Sequence, residues 1–184
     1  MLVIINGVPS AGKTSAAKEF IRIFDEKLFL YESYDNALLM LPPRHFSINP
    51  NDGFYIKNYE KGGHQIVKGE LGERFLWQSI NAVGGWLKDG WNVVFDVVEQ
   101  DREKLLFMKK NFAAFAPVVS FYFYAKPEVI KKRQQGRDDR PADSTLFFTE
   151  EMKGVEDLHD FKLDVSEMSP SNIANFMRNR VLGG

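Results

Sequence analysis

The octapeptide Gly7-Val-Pro-Ser-Ala-Gly-Lys13-Thr14 matches the pattern GxxxxGK[ST] at every fixed position. Phosphate binding is the chemistry that this spacing serves. Glycines let the backbone turn tightly so that successive N–H groups point inward, and the start of the following helix adds a favourable dipole for an anion. Gly7, Pro9, Ser10, Ala11, Gly12, Lys13, Thr14 and Ser15 are therefore the expected cradle for a nucleotide. Within it Lys13 reaches the β- and γ-phosphates as a point charge, and the Thr14 hydroxyl ligates Mg²⁺.

Three further groups fit a phosphoryl transfer. Asp96 ends the apolar run Trp91 to Phe95, and in an open α/β sheet such strand ends face the ligand crevice, which suits a carboxylate that holds Mg²⁺ or bonds Thr14. A strand-end cap or ion-pair partner is the plainer role for a lone acid there. Arg133, Arg137 and Arg140 form RxxxRxxR; their guanidinium forks suit phosphate oxygens or stack on a base, although a basic helix end balanced by Asp138, Asp139 and Asp143 has the same composition. Arg137 and Arg140 are assigned to catalysis and Arg133 to nucleotide binding. Asp35, in YESYD, is the best placed of Glu32, Asp35, Asp52 and Glu99 to take the proton of an attacking hydroxyl, and it also suits the N-cap of a short helix.

Positioning these groups requires strands that alternate with helices. Leu2 to Asn6 reads as a buried parallel strand, and Lys13 to Phe24 as an amphipathic helix. Lys27 to Glu32, Trp91 to Val98, Val118 to Tyr124 and Phe161 to Val165 supply four more strands. Helical turns are predicted over Asp35 to Met40, Gly69 to Lys88, from the Asp101 cap through Phe112, from Pro127, and over Pro170 to Val181. The expected architecture is α/β: a three-layer P-loop NTPase fold with a central, mostly parallel five-stranded sheet, helices on both faces and a short arginine-bearing lid. Residues 1–184 make one domain, in which 44–68 is an aperiodic insertion on the acceptor side and 136–147 the lid.

Arg44, His45 and Arg74 are candidates for an acidic acceptor, and Tyr31, Tyr34, Phe54, Tyr55 and Trp77 for an apolar one, with plain core as the commoner fate of such aromatics. His64 and His159 have no metal-ligand company.

At 184 residues, with 44% hydrophobic and 27% charged residues, the chain suits a single folded domain. A net charge of −1 gives no global basic field, which argues against polymeric nucleic acid as partner. The absence of cysteine removes disulfides and thiolate chemistry and fits a reducing compartment, the cytoplasm. No apolar run approaches the roughly 20 residues of a membrane helix. Neither NKxD nor DxxG follows the phosphate loop, which argues against a GTPase switch; a nucleotide-binding switch or effector of another kind remains the alternative to an enzyme.

With those residues in view, the chain resembles the chloramphenicol phosphotransferase-like family of small P-loop kinases, part of the group related to adenylate kinase. INGVPSAGKT, YDNALLMLP, VVFDVV, RQQGRDDR and GVEDLHDFKLDVS carry the resemblance, while Arg44 to Gly69 departs from the family pattern. The resemblance implies ATP and Mg²⁺ as cofactors, a small-molecule hydroxyl acceptor, Asp35 as the base, and an arginine segment closing over ATP. A nucleoside or nucleotide kinase, using Arg44 and Arg74 to hold an acceptor phosphate, is the alternative within enzymes.

Overall fold

The computed structural model describes residues 1–47, 50–58, 64–135, 152 and 154–183. Five strands form the main sheet: β1 (Leu2–Gly7), β2 (Phe29–Ser33), β6 (Asn92–Asp96), β7 (Val118–Tyr124) and β8 (Phe161–Asp164). Their order is β2-β6-β1-β7-β8, and all four pairings are parallel. The central strand β1 is buried at every position, as a continuous apolar run covered on both faces must be.

Helices α1 (Lys13–Ile23) and α6 (Pro170–Leu182) pack on one another, while α3 (Glu70–Lys88) lies against β6 and against α4 (Arg102–Phe112). Helix α5 (Pro127–Gln134) starts with the proline near its first position, where a missing N–H costs nothing. Helix α3 runs through Gly84 and Gly85 without a break. Gly84 is where Phe112 crosses: an added Cβ would lie 2.8 Å from its ring.

Residues 46–68, where the sequence has no sustained period, hold a second small sheet. Its strands β3 (Phe46–Ser47), β4 (Phe54–Asn58) and β5 (His64–Lys68) are ordered β3-β4-β5, with β4 and β5 antiparallel. This sheet is joined to the start of α3 by backbone hydrogen bonds, beside which Lys68 lies 4.0 Å from Glu73. The amides of Gly69 and Gly72 donate to the carbonyls of Gly53 (2.7 Å) and Asp52 (3.1 Å), so the loop before β4 caps a helix start that has no side-chain cap. The lid predicted over 136–147 lies outside the described residues, as do Arg137 and Arg140.

Candidate active site

Parallel pairing brings the ends of three strands to one edge. Asp96 sits level with Ile5 on β1 and Ser33 on β2, so the phosphate loop after Gly7, the β6 carboxylate and helix α2 (Tyr34–Leu39) meet there.

The loop itself shows why glycine is needed at its first position. Gly7 has φ 138°, and a Cβ on it would lie 2.1 Å from the Phe123 carbonyl on β7. Gly12, at φ 93°, is the left-handed N-cap of α1, and no described side chain caps that helix start. Ser10 holds φ 62° without being glycine, and its hydroxyl is buried with no hydrogen-bond partner among the described residues. A strained backbone and an orphaned hydroxyl beside an uncapped helix start are what an anion would satisfy.

Lys13 is 7% exposed and its ammonium donates to the Gly7 carbonyl at 2.9 Å and the Val8 carbonyl at 3.1 Å. The Thr14 hydroxyl donates to Asp96 Oδ2 at 2.7 Å, and the Tyr31 hydroxyl donates to the same oxygen at 3.1 Å. Burial raises the Asp96 carboxyl above its ordinary value, against the pull of Lys13, Thr14 and Tyr31; the charge of Asp35 adds to the rise. Burial, reinforced by Asp96, pushes the Tyr31 phenol up to about 12, so it remains a donor.

One alcohol oxygen, one carboxylate and space for phosphate oxygens make a set of hard donors suited to Mg²⁺, which keeps several waters and takes one or two carboxylates. Among the described residues there is no cluster of three or more histidines, cysteines and acids that would suit another metal.

Asp35 is exposed on α2, two residues past the end of β2, and near enough for its charge to be felt at Asp96. The cap of α2 is Ser33, whose side chain accepts from the Asn36 amide at 3.0 Å, and so Asp35 does not have that task. Of the competing acids, Glu99 is fully buried, Glu32 is half-buried beside Ser79 with its carboxyl raised by burial, and Asp52 is exposed and paired with His45.

Arg133 lies at the other side of the phosphate loop. Its guanidinium donates to the Ala11 carbonyl at 3.1 Å and to the Val165 carbonyl at 2.9 Å. It borders a pocket of about 310 Å³ whose other walls are Ser10, Ala11, Gly12, Ser15, Met168, Pro170 and Ile173.

The acceptor-side residues divide. Arg44 and His45 bond to one another at 3.2 Å, and Arg74 is exposed on α3. Tyr34 and Phe54 belong to the core, Tyr55 is half-buried, and Trp77 packs edge-on against Phe107 at 5.1 Å, so most of these aromatics hold the fold together.

Tyr31 has a more specific place than aromatic lining. The sequence reading did not single out Asn6. Its one signal there was an amide closing an otherwise apolar strand, directly before the phosphate loop.

The sequence profile of chloramphenicol phosphotransferase-like proteins matches residues 1–182. No curated protein matches the chain. Among solved structures, a sugar kinase from a Janibacter species is similar with a TM-score of 0.63 at 17% identity, over 99% of this chain and 94% of that one. The tunicamycin resistance protein of Deinococcus radiodurans gives 0.63 at 15% identity, over 98% and 94%. Shikimate kinase of Aquifex aeolicus gives 0.63 at 16%, over the whole of both chains. At such identities the likeness is one of fold.

Proposed function

The chain belongs to the chloramphenicol phosphotransferase-like family and is a kinase, and from that premise we propose that it moves the γ-phosphoryl group of ATP to a hydroxyl of a small molecule. The observation that carries this reading is the convergence at one sheet edge of Lys13, the Thr14–Asp96 pair and Asp35, whose charge reaches Asp96.

Mg²⁺ held by Thr14 and Asp96 would neutralise charge on the β- and γ-phosphates. Lys13 exchanges its two loop carbonyls for phosphate oxygens. Asp35 accepts the acceptor's hydroxyl proton as the new O–P bond forms and the bond to ADP breaks. Arg133 and its apolar neighbours Met168, Pro170 and Ile173 suit the flat face of a nucleobase, which leaves the opposite side of the phosphates for the acceptor. Arg137 and Arg140 are proposed to add positive charge at the transferring group.

The test is transfer from γ-labelled ATP with Mg²⁺ to a panel of hydroxyl compounds: chloramphenicol, tunicamycin, shikimate, sugars, aminoglycosides, nucleosides and nucleoside monophosphates, with Asp35→Asn as control. Label should appear on one class of compound and slow by roughly 10²- to 10⁴-fold in the variant. ATP binding with no label moved beyond slow hydrolysis would instead favour a nucleotide-dependent switch.

A further inference from the structure

A buried chain of hydrogen bonds joins the phosphate loop to the helix that bears Asp35. Asn6 Oδ1 accepts from the Gly7 amide at 2.8 Å and from the Glu99 amide at 2.9 Å, and Asn6 Nδ2 donates to the Glu99 carbonyl at 2.9 Å. The Glu99 carboxylate then accepts the Tyr34 hydroxyl at 2.7 Å on Oε2, and the Gln100 and Asp101 amides at 3.0 Å each on Oε1. Tyr34 is the first residue of α2 and Asp35 the second.

Asn6 and Glu99 are 0% exposed and Tyr34 is 7% exposed. Filling space does not require this arrangement, because an apolar side chain of similar volume avoids the cost of desolvating a carboxylate. Both carboxylate oxygens are instead used as fixed points: one seizes α2, and the other holds the backbone that Asn6 clasps to the loop. The Asn6–Glu99 link is doubled and the Tyr34–Glu99 link is short and charge-assisted, and both lie in the buried interior, where such bonds are stiffest. Lys68, at the end of β5, adds its ammonium 4.0 Å from Glu99 Oε1.

We propose that Glu99 and Tyr34 are positioning residues that set the separation between the phosphate loop and the Asp35 carboxylate, a reading that rests on Asp35 as base. Both side chains are buried and spend their polar atoms on one another and on backbone amides. Their effect falls on the rate of transfer because a displacement of about 1 Å at a base can cost up to about 10²-fold.

Tyr34→Phe is the informative variant, because the ring keeps its edge-on packing on Phe95 at 5.5 Å and loses only the hydroxyl. Four proteins are compared with γ-labelled ATP and Mg²⁺: the parent, Tyr34→Phe, Asp35→Asn and the double variant. The acceptor is the compound that takes label in the panel, or water where none does, and ADP affinity is measured by calorimetry. The expected result is a kcat about tenfold lower in Tyr34→Phe, with KM for ATP and ADP affinity unchanged, and no further loss when Asp35→Asn is already present.

Glu99→Gln, which can keep its one acceptor oxygen on the Gln100 and Asp101 amides only by setting an NH2 against the Tyr34 hydroxyl, should also lower kcat at unaltered ADP affinity. An unchanged kcat in Tyr34→Phe, the same factor lost in both backgrounds, or a parallel loss of ADP affinity overturns the proposal. Asp35→Asn turning over at the parent rate removes the base reading and this inference with it. A slow Asp35→Asn beside a fully active Tyr34→Phe removes the inference alone.

Discussion

The hydroxyl of Thr14 donates to the carboxylate of Asp96 at 2.7 Å across 82 positions of sequence, so the first turn of α1 is tied to the end of β6. The proton points at the acid, which leaves the lone pairs of the threonine oxygen for a cation. Thr14→Val keeps the shape and removes both functions. Affinity for ADP in the presence of Mg²⁺ should fall by about tenfold while affinity without Mg²⁺ is unchanged, as calorimetry would read directly. An equal loss in both conditions would move Thr14 out of the metal site.

Lys13 donates to the carbonyls of Gly7 and Val8, and the proposed reaction has it trade them for phosphate oxygens. Lys13→Ala should lower kcat/KM for ATP by about 10²-fold or more, since a preorganised cation at the developing charge is worth that much in closed sites. Steady-state kinetics with ATP as the varied substrate check it.

His159 predicts an acid-sensitive fold. Burial lowers its pKa from 6.5 to about 4, and its Nε2 is buried without a partner among the described residues while Nδ1 lies 2.9 Å from the Val155 carbonyl. The imidazole is therefore neutral in the folded protein, and as pH falls through 6.5 the unfolded chain takes up the proton first. Stability should be insensitive to this group above pH 6.5 and should decline from there towards pH 4, by up to about 3 kcal/mol. Urea midpoints across that range should fall in the parent and flatten in His159→Phe.

Two glycines of α3 should respond in opposite senses to the same change. Alanine in place of glycine favours a helix by about 1 kcal/mol where nothing obstructs it. Nothing lies within 4 Å of a Cβ at Gly85, so Gly85→Ala should stabilise by about that amount. A Cβ at Gly72 would lie 2.3 Å from the Gly53 carbonyl, a backbone atom that cannot step aside, and Gly72→Ala should be destabilising by about 1–3 kcal/mol despite the helical gain. Thermal melts of the two variants decide the matter.

Much of the nucleotide half was legible in the sequence because it depends on local spacing. The glycine-lysine-threonine pattern, the apolar run before it and the acid closing Asn92–Asp96 are each contiguous, and the fold needs them in that form. The order of the strands was not legible, since pairing is decided by crossovers and not by any contiguous pattern.

The hairpin of β4 and β5 escaped notice for a related reason. Its strands alternate only weakly, and what seats them is the absence of side chains at Gly53, Gly69 and Gly72, which a sequence shows merely as breaks. Ser33 took the cap that was the alternative role for Asp35 because α2 starts at Tyr34, one residue earlier than the predicted helix. Glu99 read as one acid among several, and only burial reveals that its oxygens are committed to Tyr34 and to two backbone amides.

The joint between the small sheet and α3 has a consequence for how such a protein can change over generations. Its hydrogen bonds run between peptide groups and three glycines give them room, so the hydrogen bonds themselves fix no side chain on β4 or β5. Phe54 and Ile66 pack on the core and Lys68 lies 4.0 Å from Glu99, so variation on that hairpin leaves the phosphate loop, Thr14 and Asp96 undisturbed where it spares those three. A lineage could refit the rest of the hairpin to a different compound while inheriting the phosphate loop, Thr14 and Asp96 unaltered, provided the three glycines, Phe54, Ile66 and Lys68 stay in place.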